Sequence, residues 1–275
     1  MAAASVTLIP WLLGPAREAR VIACGPAAGY LDVPGGGLVA LLSPRAVRLP
    51  IGVVLPATEA ARLAGIRPGD VLVVGEGRVL GAELAVAVRR WWSPRVTALP
   101  GLLGAAAVAG RIGVAARALP GAPEEVLAPA AALSRALAGT SPARVADAAR
   151  ALVGLGPGLT PAGDDVVCGA LVALAAVCAD GPRGRLAAAA DLYADATTSL
   201  SAALLRGAAC GDAVPQLSRL LRSLAGPGTD EDVAAAAAEL ARVGASSGTA
   251  LGHGALLGLR AVRARYHGRA VEEAA

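Results

Sequence analysis

One stretch limits what this chain can become more than any other: Gly154-Leu155-Gly156-Pro157-Gly158-Leu159-Thr160-Pro161-Ala162-Gly163-Asp164-Asp165, followed by the apolar run Val166 to Leu174. A Gly- and Pro-dense loop enters a pair of acids and then a helix. Glycine admits positive φ and lets backbone N–H groups approach a ligand closely. The helix that follows aims its partly positive N-terminus at the same spot. The pattern predicts a small-molecule site, with an anionic ligand as the best match.

Composition sharpens this reading. Of 275 residues, 55% are hydrophobic and 17% charged, enough apolar mass for a sizeable core and against disorder. Phe, Lys and Asn are absent, so every fixed positive side chain is Arg and the core is aliphatic. The net charge is +4, but the Arg residues are scattered with no interleaved aromatics, and no nucleic-acid partner is expected. Cys24, Cys168, Cys178 and Cys210 are widely spaced in apolar contexts, and there are two His. Buried reduced thiols are expected rather than a zinc site. Met1 to Ala16 lacks a basic leading region, and the apolar segments are short or interrupted by Arg111 and Arg117. Neither a signal peptide nor a membrane span is expected, and the location expected is cytoplasmic.

Along the chain, short strand-like runs recur at 20–24, 29–33, 38–42, 48–55, 70–74, 78–80 and 83–88. They predict a small antiparallel barrel or sandwich. Residues 102–119 have a helical composition, and Pro120 to Pro123 is the best linker. Helical spacing then covers 124–138. Ser141-Pro142 gives a helix start with Ser at N-cap and Pro at N1. Further helices are expected at 185–206 and 212–224, from Thr229 with Asp232 completing a capping box, and from about Gly244 to Arg265. The fold class expected is α+β: a β-rich N-terminal domain, 1–119, followed by an all-α helical domain, 120–275.

The opening stretch has an echo. Gly163 to Leu174 aligns with Gly248 to Leu259, matching Gly163/Gly248, Gly169/Gly254, Ala170/Ala255, Leu171/Leu256 and Leu174/Leu259. Gly244-Ala245-Ser246-Ser247 precedes the second copy. Two loop-helix units of one design suggest a pseudo-repeat whose helix N-termini face one pocket. The plainer alternative is that these Gly and Ala residues only allow close helix packing. Asp164 and Asp165 are candidate catalytic acids or bases. The alternative is a capping role, and because adjacent helical residues diverge, one is expected to reach the pocket while the other caps. Candidate ligand-binding residues are Gly156, Gly158, Thr160 and Gly163 from the first loop, and Ser246, Ser247, Gly248 and Thr249 from the second. Thr197, Thr198 and Ser201 form a third group on the long helix; Thr197 and Ser201, four apart, share a face, and the group is read as a third hydroxyl-bearing wall of the same pocket or as hydroxyls bonded back to helix carbonyls. No P-loop, dinucleotide-binding unit or serine-hydrolase elbow is present. No cofactor is expected, with Mg²⁺ at the Asp pair as the one alternative.

Three blocks together resemble a known family: Gly156 to Asp165, Thr197-Thr198-Ser199-Leu200-Ser201, and Gly244-Ala245-Ser246-Ser247-Gly248-Thr249. They are similar to the bacterial family, long labelled a domain of unknown function, that includes the AllH-type subunit of oxamate carbamoyltransferase. Leu41-Leu42-Ser43-Pro44 and Trp92-Ser93-Pro94 sit where that family has similar pieces. The resemblance implies a role in carbamoyl transfer in allantoin and purine breakdown, in which oxalurate and phosphate give oxamate and carbamoyl phosphate. It also implies partner subunits, one of the FdrA type. Ala162 stands where the family usually has Ser, and Ala250 where it usually has Asp. Three function classes follow: a carbamoyltransferase-type subunit, a non-catalytic anion-binding or scaffold subunit, and a metal-dependent phosphotransferase.

Overall fold

The N-terminal strands close on themselves. In the computed structural model, which describes residues 1–81, 83–104 and 107–272 (side chains to residue 265), the chain divides into two compact units, Met1–Pro94 and Arg95–Ala275. The first unit holds β1 (Ala2–Ser5), α1 (Ile9–Leu12), β2 (Arg17–Cys24), β3 (Ala28–Val33), β4 (Gly37–Leu42), β5 (Gly52–Val54), α2 (Ala57–Ala60), β6 (Val71–Gly75), β7 (Arg78–Leu80) and β8 (Ala85–Trp92). The strands form a closed barrel in the order β1-β5-β4-β3-β2-β6-β7-β8. Six neighbouring pairs are antiparallel, and β1/β8 and β4/β5 are parallel. Closure leaves no free sheet edge. The barrel alternative of the sequence reading is therefore the one adopted, with a first strand the sequence pattern did not reveal.

Inward positions carry Leu31, Val33, Val39, Leu41, Val53, Val74 and Val79, all buried. Alternation is clear in β3, where every second residue is buried, and lost in β4, which is buried throughout. With no Phe available, branched aliphatic side chains fill the interior.

The second unit is helical: α3 (Val108–Ala118), α4 (Glu124–Ala138), α5 (Pro142–Arg150), α6 (Ala162–Ala176), α7 (Asp180–Leu192), α8 (Ser199–Ala209), α9 (Pro215–Ala225), α10 (Asp230–Ala241) and α11 (Ser247–Glu272). Its starts follow the local sequence. The Ser141 hydroxyl accepts from Arg144 N with Pro142 at N1, and Thr229 and Asp232 form a capping box. Composition pointed to a boundary at 119/120, whereas the compact units divide between Pro94 and Arg95, and α3 packs on α9 and α10. The expected single helix at 185–206 is two helices. α7 already starts at Asp180 and ends at Leu192, and α8 restarts at Ser199 because the Thr198 hydroxyl caps Ser201 N. Among the described residues, no helix is long and apolar enough to cross a membrane.

The centre of this unit is α6, apolar nearly all round and buried along almost its whole length. Its main neighbour is α11, which runs beside it in the same direction. The two approach through small residues in a reciprocal way. A Cβ on Gly169 would sit 2.0 Å from the Leu251 carbonyl oxygen, and one on Gly254 would sit 2.0 Å from the Val166 carbonyl oxygen. The close-packing alternative thus accounts for both glycines. Gly169→Ala and Gly254→Ala are each expected to lower stability by about 1–3 kcal/mol or more in denaturant titrations, because backbone cannot give way as a side chain can. Gly110→Ala and Gly184→Ala sit in helices with nothing within 4 Å of the added methyl. They are expected to gain about 0.5–1 kcal/mol.

Candidate functional site

The loop between α5 and α6 is shaped by alternating glycines: Gly154, Gly156 and Gly158 have φ of +78°, +110° and +94°. Other residues rarely adopt that conformation. Leu155 N donates to Leu152 O at 2.9 Å, and Gly163 N donates back to Leu155 O at 2.9 Å. The tip at Pro157, Gly158 and Leu159 is exposed. Among the described residues, no protein acceptor meets the N–H groups of Gly156, Gly158, Leu159 or Thr160.

Asp164 ties this loop to the rest of the site. It is fully buried, and its Oδ1 accepts from Gly154 N at 2.9 Å. Its Oδ2 accepts from the Ser201 hydroxyl at 2.7 Å and from the Thr197 hydroxyl. Thr197 therefore does not share a helix face with Ser201; it lies just before α8, and both converge on one carboxylate oxygen. The Thr198 hydroxyl donates to Leu159 O at 2.5 Å, a second link between α8 and the loop.

Asp165 has a different environment. It too is buried, yet its Oδ2 has no hydrogen-bond partner. Burial pushes its pKa up to about 7, with the neighbouring Asp164 charge adding to the rise and the Ser247 hydroxyl opposing it. Ser247 is the first residue of α11, and its hydroxyl is 2.9 Å from that of Thr160. Neither acid caps α6, contrary to the sequence expectation, because the N-cap is Pro161 with no side-chain bond. Asp164 instead reaches across to Gly154 and α8, and Asp165 faces α11.

The three sequence blocks thus lie together, with the N-termini of α6, α8 and α11 converging. Within them the residues differ in exposure. Gly156, Gly158, Thr160, Thr198, Ser246 and Ser247 retain accessible surface, whereas Gly163, Gly248 and Thr249 are buried. A Cβ on Gly163 would lie 2.0 Å from Leu152 O, and one on Gly248 would lie 1.8 Å from Leu240 O. Those two glycines hold the loop-helix junctions closed, so a bulky residue at either position tests folding and not ligand contact. No cluster of three or more His, Cys, Asp or Glu able to hold a metal occurs among the described residues. Cys168 is buried, and burial together with Asp165 and Asp164 pushes its thiol up. The expectation of buried thiols holds for Cys168 alone. Cys24 is half-buried, and Cys178 and Cys210 are exposed because they sit at the ends of α6 and α8. The His253 ring bonds Pro120 O at 2.8 Å, a packing role.

Fold and site define a protein with a barrel unit and a helical unit whose Gly- and hydroxyl-rich loop-helix junctions meet around two buried acids. Residues 152–259 match the family model described as oxamate carbamoyltransferase subunit AllH. The match spans all three blocks and every candidate site residue, and leaves the similar pieces at 41–44 and 92–94 outside it. No curated protein and no solved structure matches the chain.

The two acids have opposite signatures in stability. Removing Asp164 leaves three donors unpaired, so Asp164→Ala is expected to cost about 3 kcal/mol or more. Asp165 is raised, so the folded state holds a proton that the unfolded state releases. Its contribution is intact below about pH 4 and is lost as pH rises to about 7. Asp165→Asn is therefore expected to be more stable than the parent at pH 8, by up to about 4 kcal/mol, and to flatten the stability profile between pH 4 and 7. Denaturant titrations across that range measure both.

Proposed function

We propose that the chain is a subunit of an oxamate carbamoyltransferase-type enzyme, and that the junction of the three loops binds a small anionic substrate of the carbamoyl phosphate, oxamate or oxalurate kind. The observation that carries this reading is the convergence of the three blocks around a buried acid, Asp165, whose Oδ2 has no partner, inside the segment that matches the AllH family model. Unpaired N–H groups at Gly156, Gly158 and Thr160, with three helix N-termini, offer donors to carboxylate or phosphate oxygens. The glycine contacts support the pseudo-repeat. Gly163 N donates to Leu155 O and Gly248 N to Val243 O, and each glycine lies against a carbonyl at the end of the preceding helix, Leu152 or Leu240.

Two carboxylates beside an anion look unfavourable at first. Asp164, however, is surrounded by three donors, and Asp165 is about half protonated at neutral pH and presents a donor of its own. That state also suits the chemistry. When phosphate attacks the carbamoyl carbon of oxalurate, the C–N bond breaks and the departing oxamate nitrogen must gain a proton. The phosphate loses one in the same step. Asp165 is assigned as the group that takes the proton from the attacking phosphate and delivers one to the departing nitrogen, with Thr160 and Ser247 orienting it. Asp164 is a positioning residue. No arginine is bonded into the cluster among the described residues, and further charge for the phosphate is assigned to a partner subunit of the FdrA type.

The test is phosphorolysis of oxalurate by the assembled complex, carrying either the parent chain or Asp165→Asn. The expected result is a loss of about 10²–10⁴-fold in kcat, with the limb near pH 7 gone from the profile. Undiminished turnover contradicts the proton-transfer role. Retained anion binding by the chain with turnover indifferent to Asp165 supports the non-catalytic, anion-binding subunit. Activity that depends on added Mg²⁺ and on Asp164 together supports the phosphotransferase alternative.

A further inference from the structure

A basic feature lies on α11, away from the loop junction. A cavity of about 270 Å³ opens between α3 and α11, lined by Ala109, Ile112, Gly113, Arg260, Arg263 and Ala264. Arg260 and Arg263 are three apart and share a helix face. Arg117, outside the lining, lies close by: a Cβ on Gly113 would sit 3.4 Å from Arg117 Nη1. Arg263 Nε is buried and has no partner. Among the described residues, none of these three arginines makes an ion pair or a hydrogen bond to protein. Other arginines nearby are engaged: Arg111 donates to the carbonyls of Leu224, Gly226 and Gly228, and Arg219 pairs with Glu239.

Like charges gathered around a cavity repel, and a buried donor without an acceptor is unfavourable. A bound oxyanion relieves both, and its oxygens match the guanidinium fork. The small side chains of Ala109, Gly113 and Ala264 leave the room that such an ion occupies, at a volume below the usual range for drug-sized ligands. We propose that this cavity is a second anion site, taking a small dianion such as phosphate. It is separate from the loop junction: Arg260 lies roughly 20 Å beyond Ser247 at ~1.5 Å of helix rise per residue. A dianion held there bridges α3 to α11 and stabilises the folded chain in proportion to its occupancy.

The test is calorimetric titration of the full chain with inorganic phosphate at constant ionic strength, alongside thermal melts. Parent protein is expected to bind phosphate and melt at a higher temperature with it. The double variant Arg260→Gln, Arg263→Gln is expected to bind at this site at least tenfold more weakly while still melting cooperatively, and the exposed Arg150→Gln to match the parent. Asp165→Asn is expected to leave this binding in place. No phosphate binding by the parent, or binding unchanged in the arginine double variant, overturns the proposal. Binding lost in Asp165→Asn but kept in the arginine variant also overturns it, while supporting the loop junction as the anion site.

Discussion

The helical unit depends on how one buried carboxylate is satisfied. An ion such as Asp164 is costly to remove from water unless donors replace its hydration. Here the donors come from three places in the chain: the Gly154 amide in the loop, the Thr197 hydroxyl before α8, and the Ser201 hydroxyl within α8. Each fixes an element that would otherwise be loose. The Gly-rich loop cannot hold itself, since its positive-φ residues are the most flexible in the unfolded chain. The break between α7 and α8 needs a partner for its exposed turn, and Asp164 supplies one.

Beneath this tie, the helices leave little freedom. Backbone-to-backbone contact between α6 and α11, through Gly169 and Gly254, sets how their N-termini meet. Once that distance is set, Asp165 and Ser247 face each other, and Thr160 completes the line from the loop. The same burial that makes α6 the core of its unit denies Asp165 a full hydrogen-bond set. One packing decision therefore produces both the stability of the unit and the perturbed acid, the combination expected where binding or proton transfer occurs.

Much of this was legible in the residues themselves. Gly, Thr, Ser and Asp concentrated into three short blocks stand out in a chain of Ala, Leu, Val and Arg, and those blocks lie together. The barrel was legible from the short runs, except for Ala2–Ser5, whose alanines carry no strand preference and which pairs with β5 on one side and β8 on the other. The break at Tyr193 to Thr198 was hidden because Ala, Asp, Leu and Thr around it read as continuous helix. A boundary after Pro94 was hidden as well, since Pro120 to Pro123 is the stronger composition signal but α3 packs with the helices. The division of labour between the two acids could not be read at all. Adjacent and chemically identical in sequence, they differ only in which distant donors reach them.

The central claim is that Asp164 is locked by donors while its neighbour is left short of them. Carbon-13 NMR of carboxyl-labelled aspartate, with Asp165→Asn for assignment, follows the second acid directly. The account predicts that the Asp165 resonance titrates with a midpoint near 7. A midpoint in the ordinary carboxylate range, near pH 4, would contradict it.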